Sequence, residues 1–163
     1  MMPAIRMLGP EDAVLFRDIR LEALRLSPEA FGSTYEIEAA RPPEIFAERL
    51  AGSTVFGGFG GGTLLGIAGF KQEQGLKDRH KAMLWGMYVR PAARRVGLGA
   101  RLVEAVLDHA RGRVELVQLA VVTGNDAARR LYAAAGFVEY GLERHALKDE
   151  GRYWDEILMA VAL

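Results

Sequence analysis

The chain of 163 residues contains no cysteine. That excludes a disulfide framework, a thiolate metal site and a cysteine nucleophile, so a group transfer here must proceed without a covalent thioester relay. There is no surplus of either charge, because 21 basic residues balance 21 acidic ones. A neutral chain has no global field with which to hold DNA, RNA or an anionic membrane, and any anion must be met by a local cluster. No apolar run approaches the roughly 18 residues a membrane helix needs, and the N-terminus lacks a basic segment followed by an apolar one. A soluble, cytoplasmic protein is therefore expected. His80, His109 and His145 are scattered at no ligand spacing, so no metal site is expected.

What is present describes a compact domain. Half the residues are hydrophobic and 26% are charged, a balance that buries a core rather than staying disordered. The length fits one domain, residues 1–163, with no internal repeat or linker.

Read in order, Ala4 to Leu8 predicts a short strand, and Pro10-Glu11-Asp12 starts a helix whose apolar set is Val14, Leu15, Ile19, Leu21, Leu24 and Leu26, until Ser27-Pro28 interrupts it. Phe31 to Tyr35 reads as a loop, and Pro42-Pro43 opens a second helix ending at Gly52. Thr54 to Phe59 and Thr63 to Gln74 are strand-forming runs around Gly60-Gly61-Gly62, the composition of a tight hairpin. Ala82 to Val89 is a further, nearly all-apolar strand that Pro91 stops. A helix from Gly97 to Gly112 carries Leu98, Leu102, Val103, Val106, Leu107 and Ala110 on one face. Leu116 to Val122 is a continuous apolar run, as expected of a strand covered on both faces after a crossover. Asn125-Asp126 caps a short helix ending at Gly136, and Phe137 to Leu147 with Arg152 to Val161 form a closing antiparallel pair.

The stretch from Arg90 to Arg101 is the most informative. It holds four arginines, two glycines and no acid, between a strand and a helix. Glycines at 97 and 99 let backbone approach a phosphate closely, and the helix that begins there aims its free N–H groups and positive dipole end at the same place. Arginines add charge-assisted hydrogen bonds. A solvated arginine turn before a glycine-rich helix start is the plainer alternative. A nucleoside-triphosphate loop fails, since no lysine followed by serine or threonine comes after the last glycine. A dinucleotide fingerprint is disfavoured by the bulky Leu102 where a small residue is needed.

Arg94, Gly97 and Gly99 match the pyrophosphate signature of the GCN5-related N-acetyltransferase (GNAT) superfamily: Gln or Arg, two residues, Gly, one residue, then Gly or Ala. The resemblance extends to the strands Leu84 to Val89 and Leu116 to Val122, and to Asn125-Asp126-Ala127-Ala128-Arg129-Arg130-Leu131-Tyr132 through Gly136-Phe137, covering about residues 80–140. It implies an α/β (α+β) fold, with a central mixed, mostly antiparallel sheet of about seven strands, helices on both faces and a splayed parallel strand pair. It implies acetyl-CoA as donor and direct transfer to an amine. The backbone of Met87, Tyr88 and Val89 would bind the pantetheine arm, the signature Arg94 and the amides of Arg95, Val96, Gly97, Leu98, Gly99 and Ala100 the pyrophosphate, and Asn125 the arm as well as its own helix. Tyr132 corresponds to the family's general acid, which protonates the departing thiolate; a phenol near pKa 10 suits a thiol near about 8.5. A core tyrosine is the plainer alternative.

The general base is not identified: Glu22, Glu36 and Glu73 are candidates that also fit ordinary surface carboxylates. Phe31 and Tyr35 are the candidate acceptor-binding residues. A non-catalytic acyl-CoA-binding module on the same fold stays open as an alternative, as does a homodimer, whereas nucleic-acid binding through Arg90 to Arg101 is disfavoured by the neutral total charge.

Overall fold

The computed structural model describes residues 2–163. Seven strands form one sheet: β1 (Ala4–Met7), β2 (Thr54–Gly60), β3 (Thr63–Gln72), β4 (Lys81–Val89), β5 (Leu116–Val122), β6 (Val138–Asp149) and β7 (Arg152–Ala162), in the order β1-β2-β3-β4-β5-β7-β6. Every neighbouring pair is antiparallel except β4 and β5. Five α-helices connect or cover them: α1 (Ala13–Leu26), α2 (Tyr35–Ala39), α3 (Pro43–Gly52), α4 (Leu98–Ala110) and α5 (Asp126–Ala134). This is the mixed, mostly antiparallel α/β architecture expected above.

Two apolar cores lie on opposite faces of the sheet. On one, the stripe Leu98, Leu102, Val103, Val106, Leu107 and Ala110 of α4 packs on Ala68, Leu84, Val117, Leu119, Ile157 and Met159. Helical spacing put those residues on one side, and each is buried. A Cβ at Gly58 would stand 2.5 Å from Leu98 Cδ1, so the absent side chain lets α4 settle against β2. On the other face Phe16, Ile19 and Ala23 of α1, with Phe46 and Leu50 of α3, pack on Val55, Leu64, Ile67 and Tyr88 of β2 to β4.

Several expectations need correcting. In α1, Val14, Leu15 and Leu26 are exposed, whereas Ile19, Leu21 and Leu24 are buried as expected together with Phe16, Arg20 and Ala23, so the buried set includes a charged residue. Tyr35 begins α2 rather than ending a loop, because the Thr34 hydroxyl accepts the Ile37 N–H at 3.4 Å and caps it. β5 is not covered on both faces: Val117, Leu119 and Val121 meet α4, whereas Gln118 is half-buried and Ala120 exposed. On the second face α1 and α3 pack over β2 to β4, while β5 is met by the short helical turn Pro28–Ala30.

The parallel ladder is short. Lys81, Ala82 and Met83 pair with Leu116, Val117 and Gln118, and β4 and β5 then part. β4 also bulges, since Gly69 faces Trp85 while Ile67 faces Tyr88, with Gly86 at φ 64° between them.

Candidate active site

The parting of β4 and β5 opens a cavity of about 820 Å³. Met87, Tyr88 and Val89 form one wall, Val122, Thr123, Gly124 and Asn125 the other, and Arg94, Arg95, Gly97, Gly99 and Ala100 one end. Ala127, Ala128 and Leu131 of α5, Trp154 of β7, and the turn carrying Glu29, Ala30 and Phe31 complete it.

The end formed by residues 94–100 has the chemistry of an anion site. Gly97 takes φ 81°, a left-handed conformation that turns the chain into α4. No side chain caps that helix, so its first N–H groups and its positive dipole end are left for a ligand. Of the four arginines, only Arg94 and Arg95 line the cavity. Arg94 is braced, its Nε donating to Val89 O at 2.8 Å with the guanidinium 5.6 Å over the Tyr88 ring. Arg90 and Arg101 are engaged elsewhere, on Glu22 and on Pro3 O respectively. Val96 is exposed and Leu98 is buried in the core, so neither side chain reaches the cavity. Asn125 lines it and also accepts the Ala128 N–H at 3.3 Å.

Tyr132 is not among the lining residues. Its ring is buried edge-to-face against Phe137, 5.9 Å between centroids, while the neighbouring Leu131 faces the cavity. Burial pushes its phenol above the ordinary tyrosine value.

A second cavity of about 320 Å³ is lined by Asp18, Leu21, Glu22, Arg25, Tyr35 and Arg90. Tyr88 joins the two: it lines the larger, and its O–H donates at 2.8 Å to Glu22 Oε2 in the smaller. Burial, followed by that hydrogen bond and the Glu22 charge, pushes the Tyr88 phenol up to about 12. Phe31 thus falls on the larger cavity and Tyr35 on the smaller, while Glu36 and Glu73 line neither. Among the described residues no group of histidines and carboxylates gathers as a metal site.

Sequence reasoning named one wall, the anion-binding end and, through the family resemblance, Asn125 and the strand ending at Val122 on the other wall, but missed Thr123, Gly124, Leu131 and Trp154. The glycine before the Asn125 cap was a signal for the second wall. Trp154 reaches the cavity only through the pairing of β7 with β5, which local sequence does not reveal.

The chain resembles known acetyltransferases in sequence and in fold. It is 38% identical over 112 residues to the N-alpha-acetyltransferase RimI of Mycobacterium tuberculosis, covering 68% of this chain and 69% of that one. An acetyltransferase of the GNAT family from Streptococcus pneumoniae superposes with a TM-score of 0.88 at 25% identity, over 99% of each chain. A phosphinothricin acetyltransferase from Sinorhizobium meliloti, solved with acetyl-CoA, shares the fold at TM-score 0.86 and 19% identity, over 100% of this chain and 89% of that one. The model of the acetyltransferase (GNAT) family matches residues 20–137, which include both cavity walls and the anion-binding turn, and the chain belongs to that family.

Proposed function

We propose that the chain transfers an acetyl group from acetyl-CoA to a primary α-amino group, that of a peptide or protein N-terminus or of a small molecule, without a covalent enzyme intermediate. The observation that carries this reading is the cavity between the parted strands, closed at one end by an uncapped helix N-terminus with two arginines. Its volume suits a ligand of cofactor size. The likeness to RimI supports an α-amino acceptor.

Acetyl-CoA supplies an activated acetyl thioester. The chain's part is to hold and orient it. N–H groups of Arg95 to Ala100, the dipole of α4 and the guanidinium groups of Arg94 and Arg95 would bind the pyrophosphate. The unpaired edge of β4 from Met87 to Val89 would hydrogen-bond the pantetheine arm as an added strand and donate to the carbonyl oxygen as charge develops there. Tyr132 is the proton donor to sulfur that the family likeness supports; its phenol is protonated at neutral pH, and to act it would have to turn from its contact with Phe137 into the cavity.

The test is thiol release from acetyl-CoA with peptides bearing a free N-terminus, the same peptides N-blocked, amino acids, polyamines and aminoglycosides. Release with free but not blocked peptides or amino acids is expected. Release only with polyamines or aminoglycosides would refute the α-amino assignment.

A further inference from the structure

We propose that Glu156 is the general base that takes the proton from the acceptor amine, an assignment that rests on the acetyl-transfer reading above. Glu156 lies on β7, where its Cα pairs with Val122 of β5 on one side and Glu143 of β6 on the other. Val122 lines the large cavity, and so does Trp154, two residues before Glu156 and therefore on the same face of the strand. Ile157 and Met159 alternate to the opposite face and pack in the α4 core. Glu156 thus stands on the side of the sheet opposite α4, beside the place where β5 presents the exposed methyl of Ala120. Glu156 does not itself line the cavity, but it stands between two residues that do, its cross-strand partner Val122 and Trp154, and an acceptor entering beside them would pass its carboxylate.

The surroundings favour proton uptake. Glu156 is half-buried, and burial first, then the Glu143 charge, push its carboxyl above the ordinary value. β5 contributes only Ala120 and Val122 beside it, β7 itself Trp154 and Leu158, and the turn Pro28–Ala30 that packs on β5 brings Glu29 to the cavity wall. Among the described residues no lysine or arginine forms an ion pair with Glu156. The Glu22 carboxylate is a weaker candidate, because Arg90 and the Tyr88 O–H already occupy it.

The step balances as follows. An ammonium acceptor gives one proton to the Glu156 carboxylate, and the freed nitrogen lone pair forms the C–N bond while the C–S bond breaks. Sulfur keeps the electron pair and takes the proton of the Tyr132 phenol, the second nitrogen proton passes through solvent to the tyrosinate as the amide forms, and Glu156 returns its proton to solvent. The products are the acetamide and free CoA thiol.

Two measurements decide the assignment. In the whole protein with carboxyl-labelled glutamate, the Glu156 resonance, identified by its loss in Glu156→Gln, should titrate above the usual glutamate range of about 4.3 and move down in Glu143→Gln. With an alanyl peptide as acceptor, Glu156→Gln should lose at least about 100-fold in kcat with the KM for acetyl-CoA unchanged, Glu143→Gln should shift the acid limb of the pH profile to lower pH, and formate should partly rescue Glu156→Ala. A structural role would show none of the last two effects. Ordinary titration of Glu156, or wild-type turnover in Glu156→Gln, overturns the proposal. Failure of the wild type to acetylate any α-amine would refute the functional reading on which the assignment rests, while the titration would still report separately on the Glu156 carboxyl.

Discussion

Replacing Glu38 by alanine is expected to destabilise the fold by about 3–5 kcal/mol, the usual consequence of removing one partner from a buried ion cluster. Glu38 is 2% exposed, and its carboxylate sits between Arg49 at 2.8 Å and Arg20 at 3.6 Å, joining α2 to α3 and α1. Burial alone would push this carboxyl up, but hydrogen bonds from Arg49 and Ser33 and the two guanidinium charges outweigh it and hold it below the ordinary value. The Arg20 side chain is itself 10% exposed, with Nε unpartnered and burial disfavouring its charge. Without Glu38, two guanidinium groups would share one buried site with no counter-charge. At roughly 2–4 °C per kcal/mol for a domain of this size, the loss is on the order of 10 °C in Tm, measurable by circular dichroism at pH 7. Because the folded-state value is the lower one, Glu38's stabilisation is fully present above its unfolded value of about 4.3 and is lost as pH falls through the folded value. Wild type and Glu38→Gln should therefore converge in stability at the acid end. The Arg20 guanidinium also lies 5.2 Å over the Phe31 ring, which lines the cavity, so Glu38→Ala should weaken acetyl-CoA binding as well. A Glu38→Ala stability within about 1 kcal/mol of wild type at pH 7, or a gap that persists unchanged at low pH, would refute this reasoning.

Three further outcomes are expected. Gly97→Ala meets no atom within 4 Å of its added methyl, so its cost is conformational, about 1–2 kcal/mol for a left-handed φ of 81°, together with weaker binding of acetyl-CoA in a titration. His109 sits 4.9 Å from Phe70 and 5.7 Å from Phe56, and burial followed by the Arg113 charge lowers its pKa. Its contribution should be complete above the unfolded value of about 6.5 and fall away as pH drops toward the folded value, so that His109→Leu flattens the dependence of the urea midpoint between about pH 7 and 5. Tyr132→Phe should lower turnover by at least about tenfold with acetyl-CoA affinity unchanged, and unaltered turnover would remove it as the proton donor.

The strand, turn and helix from Tyr88 to Arg101 were legible because glycine, arginine and helical spacing are local signals. The parting of β4 and β5 was not: Leu84 to Val89 and Leu116 to Val122 both read as buried strands, and nothing in either run says that their ladder ends at Met83 and Gln118. That gap followed only from family resemblance. In α1, counting apolar residues selected Val14 and Leu26 and passed over Arg20, which occupies a core position because Glu38, eighteen residues away, neutralises it. The five-residue α2 is too short to show a periodicity, although Thr34 marked its start. Nothing local singles out Glu156 within the closing strand. Its setting comes from cross-strand partners at 122 and 143, contacts that exist only once the sheet is assembled.

Crystallising the chain with acetyl-CoA tests the central claim most directly. The pantetheine arm is expected between β4 and β5 along Met87 to Val89, with the pyrophosphate on the amides at the start of α4. Strands that close the gap beyond Met83 and Gln118, or acetyl-CoA bound anywhere else, would contradict it.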